Sequence, residues 1–205
     1  KPTGSLGIGA GYNSSDGTVA TFNVNERNFL GKGQTIKFDL STSKIEKQTS
    51  LGFEDPSFLG RNLLAGISFG QTTSTPSSVP LKTDKLYFAP EVGFPLSRDS
   101  NLSIKYSFDQ EDVKSATNSG LSPVIRDDIG KKNKSGLIFS FKLDKTNSVI
   151  TPTSGFDFKI IQEFNGLGGD ISYSKSNLNF KTYRTLLRDD IILSSNLSSG
   201  IIIGS

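Results

Sequence analysis

The stretch Asn28–Gly60, NFLGKGQTIKFDLSTSKIEKQTSLGFEDPSFLG, decides how the rest of the chain is read. Two turn-like motifs, NFLGKG and DPSFLG, bracket two alternating segments. In the first, Ile36, Phe38 and Leu40 alternate with Lys37, Asp39 and Ser41; in the second, Thr49, Leu51 and Phe53 alternate with Ser50, Gly52 and Glu54. Side chains along a strand point to opposite faces in turn, so this period of two makes one face apolar and the other polar or charged. The unit is a strand, a tight turn and a return strand.

The same unit recurs outward in both directions. Toward the start, Ser5–Tyr12 sets Leu6, Ile8, Ala10 and Tyr12 against Gly7, Gly9 and Gly11. Val19–Arg27 sets Ala20, Phe22 and Val24 against Thr21, Asn23 and Asn25, and the Asp16-Gly17 pair marks the hairpin connection between the two. Toward the end, a fifth strand covers Leu63–Phe69. A sixth carries Leu86, Phe88, Val92, Phe94 and Leu96. Pro90 shares that face and cannot donate to a ladder, which predicts a break or bulge there. The seventh carries Leu102, Ile104, Tyr106 and Phe108, the eighth Leu137, Phe139, Phe141 and Leu143, and the ninth Phe156, Phe158, Ile160 and Phe164. Lys175–Thr185 and Ile191–Ile203 complete about eleven strands. No helix is expected.

Composition narrows the function classes. Of 205 residues, 34% are hydrophobic, which is thin for a two-layer core. Cysteine and histidine are both absent. That removes disulfides, thiolate chemistry, cysteine metal sites, the commonest general base and the commonest metal ligand. No cofactor or metal is expected. The net charge of +3 is spread along the chain, with one modest cluster at Lys131–Lys134, so no nucleic-acid face is expected. GIGAG (Gly7–Gly11) has the wrong spacing for a dinucleotide loop and no helix follows it. Asp127-Asp128 and Asp189-Asp190 read as solvated acid pairs rather than cation sites. No apolar run approaches the ~18 residues of a membrane helix.

The connections alternate in kind. Those after strands two, four, six, eight and ten are expected to be tight: NFLGKGQ, DPSFLGRN, PLSRDSN, TPTSG and LLRDD. Those after three, five and seven are expected to be longer and polar, with Gln71–Thr83 and Gln110–Lys134 as loops. Transmembrane barrels share this asymmetry. Charges at mid-strand on the polar face (Lys37, Asp39, Lys105, Lys142, Asp144 and Lys159) suit a wet lumen better than a dry core. Tyr12, Phe69, Phe108 and Phe164 near one end, with Phe29, Phe58, Phe94 and Phe156 near the other, suit two interfacial aromatic girdles. The expected fold class is all-β, an antiparallel up-and-down transmembrane barrel. A soluble antiparallel sheet with one covered face is the alternative that the pattern leaves open.

GSLGIGAGYNSSDGTVATFNVNERNFLGKGQ, followed by DPSFLG, GFPLS (Gly93–Ser97) and TPTSGF (Thr151–Phe156) in order, resembles the barrel of the BamA family of outer-membrane assembly factors. The resemblance covers essentially the whole chain. It implies a place in the bacterial outer membrane, POTRA domains ahead of this segment and a sixteen-stranded barrel, of which about eleven strands lie here. The family's Val-Arg-Gly-Phe loop motif and its closing strand are absent from these residues, so the segment is expected to be the first two-thirds of a barrel wall. The implied function has no enzymatic chemistry: folding and inserting outer-membrane protein clients. The implied partners are those clients, outer-membrane lipid, and assembly-machine lipoproteins acting through the POTRA domains. The glycine-bearing first strand (Ser5, Leu6, Gly7, Ile8, Gly9, Ala10, Gly11 and Tyr12) is then expected to be a lateral gate that pairs with a client strand. A passive channel or transporter barrel, and a soluble β-rich binding module, are the other readings.

Overall fold

The computed structural model describes residues 3–76, 80–115, 126, 129–186 and 191–204. Eleven strands follow one another: β1 (Gly4–Asn13), β2 (Gly17–Phe29), β3 (Gln34–Thr42), β4 (Glu46–Asp55), β5 (Leu64–Ser74), β6 (Leu81–Pro95), β7 (Ser100–Ser115), β8 (Gly130–Asp144), β9 (Gly155–Asn165), β10 (Tyr173–Leu186) and β11 (Ile191–Gly204). A 3-10 turn, Phe58–Gly60, joins β4 to β5. Every strand pairs antiparallel with its sequence neighbour, giving one open sheet in the order β1 to β11 with β1 and β11 at its edges.

Directly opposed residues of an antiparallel pair share a face, so the registers carry the face assignment across the sheet. Leu6, Val24, Phe38, Leu51, Phe69, Phe88 and Phe108 form one continuous cross-strand row from β1 to β7. One residue along each strand, Gly7, Asn23, Asp39, Ser50, Gly70, Tyr87, Asp109 and Lys134 form a row on the opposite face. The period-two reading therefore holds in register as well as in each strand separately.

No hydrophobic side chain among the described residues is buried. Phe38, Ile104, Phe139 and Phe158 are half-buried, covered from the side by neighbours on their own face. A soluble antiparallel sheet would bury one face against a second layer; here the described residues form a single layer. Contacts within the apolar face are aromatic: Phe22–Phe38 at 6.1 Å between ring centres, Phe141–Phe158 at 6.4 Å and Phe156–Phe180 at 5.9 Å. Such pairs contribute about 0.5–1.5 kcal/mol each beyond their burial.

The two turns first singled out are tight and share a backbone device. Leu30 and Leu59 both sit at positive φ (54° and 56°), each followed by a left-handed glycine, Gly31 or Gly60. That conformation costs a non-glycine residue roughly 1–2 kcal/mol. Side-chain acceptors hold the turns closed: Gly33 N–H donates to Asn28 Oδ1 at 2.7 Å, and Ser57 N–H donates to Asp55 Oδ1 at 2.9 Å.

Several expectations need correction. The connection after β3 is not long: residues 43–45 close it, with Glu46 N–H donating to Ser43 Oγ at 3.0 Å. Much of the two expected loops is strand, because β5 reaches Ser74, β6 starts at Leu81, β7 reaches Ser115 and β8 starts at Gly130. Lys131–Lys134 is therefore not a patch; the ladder sends Lys132 and Lys134 to one face and Lys131 to the other. The break expected at Pro90 is present: the β6–β7 pairing skips two residues and resumes in the same register. A bulge does occur, unexpected, in β2 between Glu26 and Phe29. The acid pairs at 127–128 and 189–190 lie outside the described residues.

Candidate functional site

β1 and β11 are the two edge strands among the described residues, and β1 is the one that the glycine pattern singles out. It pairs with β2 alone, from Gly4↔Glu26 to Asn13↔Gly17, and its other side has no strand among the described residues. An unpaired strand side offers a row of backbone N–H and C=O groups to another strand. Its apolar side chains stand free: Leu6, Ile8 and Tyr12 are all strongly exposed.

On the polar face, Gly7 and Gly9 make room for β2. A Cβ on Gly7 would sit 2.5 Å from Asn23 Oδ1, and one on Gly9 2.6 Å from Thr21 Oγ1. The side chains of β2 thus lie across the backbone of β1. No side chain from Gly7, Gly9 or Gly11 meets them. Backbone hydrogen bonds and the apolar face carry that pairing, and polar-face interlock contributes little to its register. The sequence marks these glycines but does not show that Asn23 and Thr21 occupy the space above them.

The start of β1 is held differently. Glu26 accepts a hydrogen bond from the Thr3 hydroxyl and another, at 2.8 Å, from Asn28 N–H inside the β2 bulge. Arg27 N–H donates to the Thr3 carbonyl at 3.4 Å. Glu26 therefore ties the first residues of the edge to β2 while the rest of β1 has no side-chain clasp of this kind. It carries no sequence signal beyond its position, three residues before Phe29 of the FLG turn.

The six expected mid-strand charges share one face, the face of Gly7 and Gly9. Lys142 lies between Asp144 at 3.1 Å and Asp157 at 3.2 Å, with Lys159 directly across from it on β9. Lys105 pairs with Glu91 at 2.9 Å. Lys37 and Asp39 stand apart on β3, Asp39 receiving the Ser50 hydroxyl at 3.4 Å. The structure thus gathers Lys142, Asp144 and Lys159 and leaves the others distributed. Exposed ion pairs of this sort contribute about 0–1 kcal/mol each.

A larger network on that face was not expected. Lys134 reaches Tyr173 Oη at 3.1 Å, Glu163 at 3.6 Å and Asp109 at 3.8 Å. Tyr173 donates to Glu163 at 2.5 Å, and Lys85 reaches Asp109 at 3.3 Å. Five strands, β6 to β10, are joined through it. Where β6 and β7 extend past the apolar residues, the Thr73 hydroxyl donates to Asp84 at 2.7 Å. That bond, with Lys82 and Lys114 beside it, holds the Asp84 carboxyl below the usual carboxylate range. No cluster of acid, cysteine and histidine side chains able to hold a metal occurs among the described residues.

Comparison with known proteins agrees with this architecture. The outer membrane protein assembly factor BamA of Neorickettsia risticii is 23% identical over 206 residues, covering 100% of this chain and 28% of that protein. Sorting and assembly machinery component 50 homolog A of Xenopus laevis is 29% identical over 179 residues, covering 86% of this chain and 37% of that protein. The chain thus spans about a third of the length of these relatives. The crystal structure of BamA from Haemophilus ducreyi lacking POTRA domains 1–3 superposes with a TM-score of 0.78 at 17% identity, over 100% of this chain and 42% of that one. That likeness gives the fold: the eleven-stranded sheet is part of a BamA-type barrel wall. The family model for the Omp85 superfamily domain matches residues 28–205. The chain belongs to the Omp85 superfamily, whose members are β-barrel proteins of the outer membrane, the location expected from the resemblance.

Proposed function

We propose that this chain is wall from the barrel of an outer-membrane protein assembly factor, and that β1 is the edge at which client strands pair. The observation that carries the reading is how β1 is held to β2: glycines stand at every polar-face position from Gly7 to Gly11, with Asn23 and Thr21 lying over bare backbone. A strand held to its neighbour mainly by backbone bonds can exchange partners at low cost, because few side-chain contacts must break. The work is then strand templating beside a lipid phase, with no bond made or broken covalently. The clients are other outer-membrane β-barrel proteins. Accessory lipoproteins would engage POTRA domains outside this segment, and outer-membrane lipid would meet the apolar face. The polar face, with Lys37, Asp39, Lys105, Lys142, Asp144 and Lys159, would border the wet lumen.

The test is site-specific photocrosslinking in the full-length protein during client assembly. Probes at Ser5, Gly7, Gly9 and Gly11 should capture a nascent barrel, and probes at the matching positions of β7 (Ser103, Lys105 and Ser107) should not. Captures that avoid β1 and fall elsewhere would refute the gate. Full ion conductance without any acceleration of client folding in liposomes would favour a passive channel instead.

A further inference from the structure

The tight turns at one end of the sheet repeat a chemical pattern that neither the ladder nor the client edge uses. Those after β2, β4 and β6 each place an aliphatic residue two positions before a cation: Leu30 and Lys32, Leu59 and Arg61, Leu96 and Arg98. The leucines are 73%, 78% and 58% exposed. Lys32, Arg61 and Arg98 form no side-chain hydrogen bond or ion pair with the described residues. After β8 the same end shows Val149 and Ile150, each 90% exposed. At the opposite end, residues 14–16 and 43–45 contain no exposed aliphatic side chain, and the longer 166–172 connection exposes Leu167 with Gly169, not a cation, two positions on.

Two of these exposed leucines sit on strained backbone. Leu30 and Leu59 hold left-handed backbone where glycine or asparagine would be unstrained. Strain kept in place to present an apolar side chain to solvent points to something that receives it. The receiver must accept both an aliphatic tip and an unpaired cation. It must also accept them repeatedly, because successive turns are two strands, about 10 Å, apart along the sheet end. A continuous layer fits that spacing better than one compact partner. The apolar face also runs into it: Phe94 sits on that face opposite Leu102, and Leu96 follows two residues on.

We propose that these turns anchor the barrel wall in the headgroup layer of a phospholipid leaflet, with Leu30, Leu59 and Leu96 entering the acyl boundary and Lys32, Arg61 and Arg98 on anionic phosphates. The proposal rests on the membrane reading of the apolar face. It assigns the turn end of the wall a role in setting depth and tilt, separate from the β1 edge. Aliphatic side chains flanked by basic residues are favoured at such an interface, and each cation near an anionic surface strengthens the attraction several-fold.

The test uses the full-length protein in liposomes, cleared of other reactive cysteines. Single cysteines at Leu59, Leu96 and, as a control, Ile104 carry an environment-sensitive fluorophore, quenched by lipids spin-labelled at the headgroup or deep in the chain. Ile104 should be quenched by the deep label, Leu59 and Leu96 by the shallow one. Spin-labelled phosphatidylglycerol should quench Leu59 several-fold more than spin-labelled phosphatidylcholine, and K32E/R61E/R98E should bring that ratio to one. Water-like emission at Leu59 and Leu96 with Ile104 quenched would overturn the proposal and leave the membrane reading standing. So would blue-shifted emission without lipid quenching, which would mean protein covers the turns. An unquenched Ile104 would overturn both.

Discussion

The β1–β2 hairpin and the β6–β8 wall are made from the same zigzag, yet they are secured by different means. β1 has ten residues and presents glycine to its neighbour on the polar face; β7 has sixteen and presents Ser103, Lys105, Ser107, Asp109 and Glu111 on the same face. In the wall those side chains are engaged, Lys105 with Glu91 and Asp109 with both Lys85 and Lys134. In the hairpin, Asn23 and Thr21 lie over bare backbone, and Glu26 alone clasps the strand at its start. Cross-strand side-chain pairs are what fix register and resist slippage. The difference teaches that one sheet can be locked by side chains in one region and held mainly by backbone bonds in another.

Substitutions that put a side chain on a glycine in each region should separate them most strongly. At Gly136 a Cβ would strike the Phe164 carbonyl oxygen and lie 2.7 Å from Asn165 Oδ1, with backbone that cannot move aside. Gly136→Val should destabilise the barrel by about 3 kcal/mol, the upper part of the overpacking range. It would be read as loss of the compact, heat-modifiable band of the full-length protein at a lower temperature. An unchanged transition would mean β8 and β9 are not locked as described.

Next in size is the five-strand network. Glu163→Ala leaves the Tyr173 hydroxyl without its acceptor and Lys134 with one carboxylate, Asp109, in place of two. A cost of about 1–2 kcal/mol is expected, as for a partly buried polar group losing its partner. Tyr173→Phe should cost less, and equal effects would argue against Glu163 as the centre. A Glu26→Ala change at the exposed β1 clasp should leave the thermal transition of the barrel almost unmoved. Its effect should appear instead as more client crosslinking at Ser5, where β1 is released. Smallest is Gly9→Ala, because the obstructing atom is the rotatable Thr21 hydroxyl; a change within about 0.5 kcal/mol is expected. A large loss there would show that β1 is as tightly fitted as β8.

The strand order and both faces were legible before any coordinates, because period-two hydropathy is strong wherever one face is apolar. It was blind where both faces are polar. Lys82-Thr83 and Lys131-Lys132-Asn133-Lys134 read as loop, yet they continue β6 and β8, held by cross-strand bonds such as Gln110 to Asn133 at 2.9 Å. Nor does hydropathy see an edge being covered. Residues 166–172 fold back on β8, Gly166 N–H to the Ser135 carbonyl at 3.0 Å and Asp170 N–H to the Asn133 carbonyl at 2.7 Å. That loop occupies the side of β8 that β9 is too short to reach. At the candidate site, the glycines of β1 were visible and their meaning was half visible. What rests above them depends on which β2 residue stands opposite, and register is a tertiary fact.

The central claim is that one face of this sheet meets lipid and the other meets water. A nitroxide moved residue by residue from Leu102 to Asp109, in the full-length protein in bilayers, tests it most directly through accessibility to oxygen and to a polar nickel complex. The account predicts oxygen maxima at Leu102, Ile104, Tyr106 and Phe108 and nickel maxima at Ser103, Lys105, Ser107 and Asp109. Two profiles rising and falling together, or no alternation at all, would contradict it.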